Sequence, residues 1–446
     1  MRQLNPSYIF FMKKLAITNV LFLFITFNVH AQPWTLQQCI DSAYTNSTKI
    51  KTANNNQKIT ALKQQEVKAN LIPKLSIQGE YKYYLALPYQ LMPLSIFGGP
   101  EGQFKEAQFG VPHNINVNAL LQGPIYSNEL MGNIEKLAIR NKMASIETAK
   151  SYEEIYFEVS TIYRNAQLLH SQLHFIDSIL ENTKKIQETV KQLALEKMAN
   201  QSDIQKITLK IATLTLNKSH LETNLQQLYN ALQLYTQSTN AITVEDHLLM
   251  VAINTYESKQ NKDIALLKLQ TELINLDLQT LKRSKYLPDV GFFATYGTQG
   301  YGYNQDPNSF LNFYPIGYVG LRVAYPIFNG NATNKKIGQD ALWLENLKLK
   351  EEAVNDQMDL AIKNAVLTMN NAFQNVALNE AQMNLAATIY AQEVKKHEQG
   401  VTAVNDLLLA QNEWVQQQQN YVQSIAQFLA ADLSLKKLTN NIPNNK

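Results

Sequence analysis

The chain has 446 residues, of which 45% are hydrophobic and 17% are charged, with 40 basic and 37 acidic residues. This length is enough for roughly three soluble domains. The near balance of charge excludes the electrostatic footprint that nucleic acid binding requires, so no nucleic acid partner is predicted.

The N-terminal segment has the pattern of an export signal. Residues 12–31 contain two lysines, then an apolar run that is short for a transmembrane helix, and end in Val29-His30-Ala31. We predict a signal peptide over residues 1–31, with Met12 as the better start. The alternative is an N-terminal membrane anchor. Cleavage after Ala31 would remove three basic and no acidic residues and leave a net charge of zero.

Cys39 is the only cysteine, so no intrachain disulfide can form. It follows Leu36-Gln37-Gln38 within a helical pattern, whereas a lipid-modified cysteine would follow small residues at the signal cleavage site. We therefore predict that Cys39 is a buried, small apolar group.

Two stretches of the first half alternate with the period of a β-strand. Between Leu75 and Tyr83, apolar residues and tyrosines alternate with polar and charged residues, and between His113 and Leu121 aliphatic residues alternate with asparagines. One polar and one apolar face suit a strand between water and lipid, although a single strand of this kind is more common in a soluble sandwich. The segment Pro88–Pro112, rich in Pro, Gly and Phe, predicts a long loop between them.

Very long helices follow. From about Ser127 to Lys197 the sequence has no proline and, after Gly132, no glycine, which predicts a helix of about 70 residues and about 105 Å. A second helix, from Asp203 to about Tyr235, carries apolar residues near heptad spacing, so the two helices predict an antiparallel hairpin.

The second half repeats the order of helix, proline, strand, loop, strand, proline, long helix, tip and helix. We predict a first repeat over residues 32–238, a connecting segment over 239–255 and a second repeat over 256–446. The predicted elements of the second repeat are a helix over about 257–286, strands around 290–296 and 319–325, a loop over 297–315, a long helix over 329–400 and a last helix over 406–438.

Four strands per chain are too few for a membrane barrel, because about eight strands form the smallest one. Three copies would supply twelve strands and a closed sheet without edges, as hydrocarbon requires. The predicted fold class is thus an α+β membrane protein, with long antiparallel helical hairpins and four strands that contribute to a trimeric twelve-stranded barrel. Ten aromatic residues are predicted to form its interfacial girdle: Tyr81, Tyr83, Tyr84, Tyr296, Tyr301, Tyr303, Phe310, Phe313, Tyr314 and Tyr318.

Several motifs resemble the TolC-like outer membrane efflux protein family over nearly the whole mature chain. They are the opening Trp34–Ile40 with Ala43, the junctions Ile72-Pro73 and Leu287-Pro288, the returns Gly123-Pro124-Ile125 and Tyr325–Phe328, and the tip Gly400–Gln411. Each motif alone is weak, but their order is specific. Family members are homotrimers in outer membrane lipid, with a helical tunnel in the periplasm, a periplasmic adaptor protein and an inner membrane transporter. The resemblance implies a passive exit duct for drugs, toxic compounds or secreted products.

The strand pattern and the resemblance together define candidate functional residues. The predicted barrel lumen residues are Glu80, Lys82, Asn114, Asn116, Asn118 and Arg322, and the predicted junction residues are Pro73, Pro124, Pro288 and Pro326. The periplasmic tips are assigned to Lys197, Gly400 and Val401, and the periplasmic gate to Asp203, Asp406 and Leu409.

The two tips are not identical in sequence, because Lys197 stands where comparison with Gly400 predicts glycine. Threefold symmetry would bring three Asp406 carboxylates around one axis, backed by a ring of Leu409. The alternative is that Asp406 only caps the last helix, where the helix dipole favours an acidic residue.

No enzyme site is predicted. His170 and His174 have the spacing of two helical metal ligands, but no glutamate follows His170 as a zinc protease motif requires. No cofactor or metal is predicted, and no nucleophile has a recognisable partner. The alternative function is an exported coiled-coil scaffold without channel activity, which would have no reason to carry four two-faced strands.

Overall fold

The computed structural model describes residues 33–197, 199–245, 256–257, 261–304, 306–307 and 309–442. The predicted signal peptide lies outside these residues, as does the greater part of the predicted connecting segment.

The chain forms two compact units. The first, here called the helical unit, comprises Met1–Ile50, Tyr152–Glu257 and Ile362–Lys446, and the second, the sheet unit, comprises Lys51–Ser151 and Ser258–Ala361. Each unit contains segments of both predicted repeats, so the units do not correspond to the repeats. The two repeats remain a prediction that concerns only the order of elements along the chain.

Helices make up most of the described chain. The helices are α1 (Leu36–Asn46), α2 (Thr48–Ala69), α3 (Asn128–Leu195), α4 (Gln201–Thr236), α5 (Lys262–Ser284), α6 (Ala332–Glu398) and α7 (Val404–Leu438). The strands are β1 (Lys74–Tyr83), β2 (Tyr89–Pro93), β3 (Phe104–Gln108), β4 (His113–Tyr126), β5 (Asp289–Tyr303) and β6 (Phe310–Ala324). Helix α3 has 68 residues and α6 has 67, as expected for segments without internal proline. None of the described helices has a stretch apolar enough to cross a membrane.

The helical unit has a conventional core. In its first cluster of buried side chains, Cys39 and Ala43 of α1 pack with Val159 and Tyr163 of α3 and Leu232 of α4. Three further apolar clusters among the described residues join α3 and α4 to α6 and α7. The buried position of Cys39 agrees with its predicted role as a small apolar group.

The start of α1 shows how local sequence sets the beginning of this core. Thr35 accepts a hydrogen bond from the Gln38 amide at 3.2 Å, and the Gln38 side chain accepts one from the Thr35 amide at 2.9 Å. This reciprocal pair is a capping box. Trp34 donates its amide proton to the Thr243 carbonyl at 2.8 Å, so the chain before α1 is tied to the segment after α4.

The sheet unit contains a four-stranded antiparallel sheet in the order β1-β4-β5-β6. Strands β2 and β3 form a separate two-stranded sheet within the connection from β1 to β4. In the single chain, β1 and β6 each have one unpaired edge.

Two predicted loops contain strands instead. The predicted loop Pro88–Pro112 holds the hairpin β2–β3, and the predicted loop 297–315 is largely the continuation of β5 and the beginning of β6. The second prediction was wrong because the glycines of this segment, Gly297, Gly300 and Gly302, favour a loop when only the sequence is considered. They instead occupy strand positions beside bulky neighbours, where a Cβ at Gly300 would clash with the Phe313 ring.

Candidate functional site

The register of the sheet brings the six predicted lumen residues onto one face. Glu80 lies opposite Asn116, and Lys82 lies opposite Asn114. Asn116 is in turn opposite Gln299 of β5, and Arg322 is opposite Gly291, an even number of residues along β5 from Gln299. Directly paired residues and alternate residues share a face of a sheet. We call this surface the polar face.

Charges on the polar face are only partly compensated. Lys82 and Glu80 form an ion pair of 2.9 Å, with both side chains more than half exposed. The Arg322 guanidinium lies 5.7 Å from the centroid of the Phe293 ring, a cation–π distance, and has no carboxylate partner among the described residues. A solvated face would hold such a group without the cost of burying a charge.

The opposite face of the same sheet is apolar and uncovered in the single chain. Ile77 is 78% exposed and Val319 is 82% exposed. The large exposed side chains on this face also include Leu75, Tyr81, Val117, Leu121, Tyr296, Leu321 and Val323. Contiguous apolar surface of this extent marks a membrane or protein contact.

Gly297 shows how closely neighbouring strands approach within the polar face. A Cβ at this position would overlap the Val117 carbonyl oxygen and the Asn118 side chain. The Oδ1 atoms of Asn116 and Asn118 are shielded and have no hydrogen-bond partner within the described residues. The asparagine row is therefore packed against β5, and glycine is required opposite Asn118.

Three of the four junction prolines lie between a helix and a strand. Pro73 separates α2 from β1, Pro288 separates α5 from β5, and Pro326 separates β6 from α6. The Tyr325 hydroxyl donates to the Lys285 carbonyl at 2.9 Å, which joins the junction before β5 to the junction after β6.

Pro124 differs, because β4 continues through it to Tyr126. The pairing of β4 with β5 shifts between Pro124 and Tyr126, and β1 ends opposite Gln122. Beyond Gln122 the β1 side of β4 is open, so a residue without an amide proton is tolerated there. Pro124, which was predicted to be a junction residue between strand and helix, lies instead at a strand irregularity, two residues before β4 ends.

The ten predicted girdle aromatics do not form one belt. Tyr81, Tyr83, Tyr296 and Phe313 share the apolar face, whereas Tyr301, Tyr303, Phe310, Tyr314 and Tyr318 lie on the polar face. Tyr296 and Tyr318 lie near the middle of their strands, and the sequence pattern could not assign faces, because the register of β5 with β6 begins inside the segment predicted to be a loop.

The second helical tip joins α6 to α7 through a glycine in the left-handed conformation. Gly400 has φ +72°. Its amide donates to the His397 carbonyl at 3.0 Å, and the Val401 amide donates to the Lys396 carbonyl at 2.9 Å, which is the Schellman pattern of a helix C-terminus. Val401 is exposed at the end of this turn.

The first helical tip also has a left-handed residue after its helix, but that residue is a lysine. Lys197 has φ +60°, and its amide donates to the Ala194 carbonyl at 3.1 Å. A side chain in this left-handed region costs about 1–2 kcal/mol relative to glycine. Lys197 therefore replaces the glycine expected at this position, but it keeps the left-handed conformation.

The two predicted gate aspartates have different local environments. Asp203 accepts the Asn200 amide at 3.4 Å and completes a capping box at the start of α4. It also lies 3.7 Å from Lys206. Asp406 occupies the same position in α7, but the N-cap there is Ala403 and makes no side-chain cap. The only side-chain hydrogen bond to the Asp406 carboxylate among the described residues comes from Thr402 at 3.4 Å.

Leu409, the third predicted gate residue, is 59% exposed. Its neighbours Leu407 and Val404 are buried, so α7 packs its inner face on the unit and leaves Asp406 and Leu409 outside. In the single chain the Leu409 side chain is available to contact another molecule.

A buried polar layer near the second tip was not predicted. The Gln411 amide donates to Thr183 of α3 at 2.8 Å and to the Tyr390 hydroxyl of α6 at 3.4 Å. Burial raises the pKa of Tyr390, while the hydrogen bond from Gln411 opposes that shift. A glutamine in a polar helix gives no sequence signal, because its burial depends on contacts with α3 and α6.

His170 and His174 lie together on α3, with their ring centroids 4.7 Å apart in an edge-to-face arrangement. No group of three or more metal-ligating side chains occurs in the part of the chain that the structure describes. The pair is an aromatic contact on a helix surface.

The chain is similar to known outer membrane proteins in part of its sequence and in its fold. The family model "Outer membrane efflux protein" matches residues 259–441, and no curated protein matches the chain. The fold is similar to the outer membrane protein VceC from Vibrio cholerae, with a TM-score of 0.69 and 14% identity over 91% of this chain and 95% of that chain. It is also similar to the Campylobacter jejuni CmeC outer membrane channel (TM-score 0.70, 11% identity, covering 91% of this chain and 85% of that chain). The open state of the Neisseria gonorrhoeae MtrE outer membrane channel gives a TM-score of 0.70 and 14% identity, covering 91% of this chain and 88% of that chain.

The family match confirms the resemblance inferred from the junction and tip motifs. The description of that family model also agrees with two broader predictions, an outer membrane location and a transport role. The α+β fold class is confirmed in its coarser form, a mostly helical chain with one four-stranded sheet. The sequence of residues 259–441 therefore matches the outer membrane efflux proteins, and the described chain has the fold of solved outer membrane channels.

Proposed function

We propose that three copies of this chain close a twelve-stranded barrel in the outer membrane and form a passive exit duct. The observation that carries this proposal is the two-faced sheet, with all six predicted lumen residues on one side and exposed apolar residues on the other. Unpaired strand edges are costly in hydrocarbon, and pairing β6 of one copy with β1 of the next removes both edges.

The helices give independent support for association. Exposed leucines occur along α6 at alternating spacings of seven and eleven residues. Seven plus eleven is 18 residues, which is five turns of an α-helix, so the leucines lie on one face of the helix. In the sheet unit these are Leu342, Leu349 and Leu360, and in the helical unit Leu367, Leu378 and Leu385. Within each unit, an apolar row of this kind fits the side of another long helix.

The proposed duct continues from the barrel into a periplasmic tunnel of helices, with the junction prolines at the change from helix to strand. The tips, Lys197, Gly400 and Val401, would meet a periplasmic adaptor protein. Asp406 and Leu409 would narrow the periplasmic mouth, with Asp203 close by. An inner membrane transporter would supply energy and select the cargo, which in this class of duct is small toxic compounds or secreted products.

Two adjacent residues of β1 provide a matched test of the membrane orientation. Ile77→Arg places a charge on the apolar face, at a cost of about 2–4 kcal/mol near the middle of a bilayer, whereas Gln78→Arg adds the same charge to the polar face. We expect Ile77→Arg to be lost from the outer membrane fraction and Gln78→Arg to be retained. Equal recovery of both variants would contradict the assignment of faces.

The oligomeric state needs a separate measurement. The purified protein, compared on unheated and heated denaturing gels after chemical crosslinking, should give a trimer that heating dissociates when no crosslinker is present. Crosslinked species that stop at dimers, or recovery of the chain in the soluble periplasm, would contradict the proposed assembly.

A further inference from the structure

The hairpin β2–β3 exposes a row of apolar side chains on one face in the single chain. Its register places Tyr89 and Leu91 on the same face as Phe104, together with Gln108 and Glu106 at the β3 positions opposite them, and Leu91 is 67% exposed. The turn between the strands adds two more exposed side chains, Ile96 and Phe97. A two-stranded hairpin is only marginally stable in water without further cover.

The hairpin is connected to the main sheet through its base. The Tyr84 amide donates to the Pro112 carbonyl at 2.8 Å, which extends the β1–β4 ladder by one pair. Above this point the hairpin forms contacts within itself and no extensive contact with another described strand or helix. Its apolar face is therefore available to another molecule.

A second apolar surface lies at the same end of the sheet, on the polar face. Tyr301 and Tyr314 have ring centroids 6.1 Å apart, and Tyr303 stacks on Phe310 at 6.3 Å. We call these four residues the rim cluster. Aromatic rings on the face assigned to water are unexpected, and Tyr314 is 53% exposed.

We propose that the hairpin of each copy packs on the rim cluster of the adjacent copy and that three hairpins cover the outer mouth. This inference rests on the proposed trimer, in which β6 of one copy lies beside β1 of the next. The hairpin leaves the sheet directly after β1, so it begins next to the neighbouring copy's Phe310 and Tyr314. A contact repeated around a threefold axis closes after three copies.

The charge of the hairpin favours a contact with the rim cluster of the adjacent copy over a contact with a lipid surface. Residues 84–112 carry two glutamates and a single lysine, Lys105. Segments that lie on anionic lipid headgroups are rich in Lys and Arg on their polar side, and this hairpin is not. Apolar side chains with little charge fit another apolar protein surface.

Paired cysteines test the contact in the assembled protein. In a Cys39→Ala background, Phe97→Cys with Tyr314→Cys should give covalently linked chains with a flexible bismaleimide, seen on heated denaturing gels. The control combines Phe97→Cys with Tyr296→Cys, because Tyr296 lies on the apolar face of the same sheet, and we expect no link between chains. Links to Tyr296 but not to Tyr314 would mean that the hairpin lies on the membrane surface and would overturn the proposal.

Failure of the cap can be distinguished from failure of the trimer. If lysine-reactive crosslinking still gives trimers while neither cysteine pair links, the hairpins do not cover the mouth. The effect on permeation provides a second readout, since Leu91→Asp with Phe97→Asp should raise single-channel conductance in planar bilayers. Met92→Asp, on the other face of the hairpin, should leave the conductance unchanged, and an equal rise in both variants would also contradict the cap.

Discussion

The two helical tips both have a left-handed residue where the preceding helix ends, but they differ in chemistry. Lys197 and Gly400 both adopt the left-handed conformation, and Asp203 and Asp406 both lie in the first turn of the next helix. Asp203 is held in a capping box by Asn200, whereas Asp406 follows an alanine N-cap. A carboxylate used for capping is fixed to its own helix. Among the described residues Asp406 accepts one long side-chain hydrogen bond, from Thr402, and forms no ion pair, so we expect its carboxylate to be less constrained than that of Asp203 and better able to interact with a passing ion.

The largest expected difference between the tips is in ion selectivity. A cation about 6 Å from one carboxylate gains about 0.7 kcal/mol in a water-like dielectric, which corresponds to about a threefold preference. Asp406→Asn should therefore weaken cation selectivity and block by multivalent cations from the periplasmic side, measured in planar bilayers. Asp203→Asn, the matched change in the first tip, should leave selectivity nearly unchanged. If both variants shift the reversal potential equally, the tips do not differ in this way.

Conductance tests the apolar half of the proposed gate. Leu409 is exposed one turn beyond Asp406, and three such side chains around an axis would exclude water. Leu409→Ser should raise single-channel conductance, because a hydroxyl is hydrated more easily than an isobutyl group. Leu408→Ser is the control, since Leu408 packs in the helical unit against the cluster of Val190 and Ile207. A rise that is equal in the two variants would place the constriction elsewhere.

Changing the N-cap residues should alter the local stability of the two tips in opposite directions. Asn200→Ala removes the N-cap of α4 and should lower the local stability of the first tip by about 0.5–2 kcal/mol. Ala403→Asn supplies a cap at the second tip and should raise local stability by about 1 kcal/mol. Hydrogen exchange of the first turns of α4 and α7 measures both changes. Unchanged protection after Asn200→Ala would show that the capping box is not what fixes Asp203.

The left-handed residues Lys197 and Gly400 provide a further test, in which the expected changes in stability are smaller and similar in size at the two tips. Lys197→Gly should stabilise the first tip by about 1 kcal/mol, because glycine adopts the left-handed conformation without steric cost. Gly400→Ala should destabilise the second tip by a similar amount, although a Cβ there would meet no atom within 4 Å. Hydrogen exchange at each tip, compared with the unaltered tip in the same molecule, separates local from global effects.

Thiol labelling of this protein can be interpreted only if the native Cys39 thiol does not react. Burial raises the pKa of the Cys39 thiol to about 12, and the side chain is fully buried. The reactive thiolate is therefore scarce at neutral pH. We expect the native protein to incorporate almost no maleimide until it is unfolded, as measured by intact mass. Rapid labelling of the native chain would mean that the core around α1 opens.

Local sequence rules predicted much of the fold. Proline positions and strand alternation located β1, β4 and the long helices, because these signals act over a few residues. The strand positions of Gly300 and Gly302, the face of Tyr314 and the path of β4 through Pro124 were not accessible in this way. Each depends on the partner strand, and register is set by contacts between distant segments. The capping difference between Asp203 and Asp406 could have been found from Asn200 and Ala403, which the sequence shows directly.

The assignment of one face of the sheet to water and the other to lipid is tested most directly by labelling single cysteines along β4, in a Cys39→Ala background, with a small hydrophilic thiol reagent. We expect fast reaction at residues 114, 116 and 118, which share the polar face, and slow reaction at 115 and 117, which share the apolar face. The measurement is made on assembled protein in membranes. Faster labelling at Ile115→Cys and Val117→Cys than at the asparagine positions would reverse the faces, and uniform fast labelling would contradict a membrane barrel.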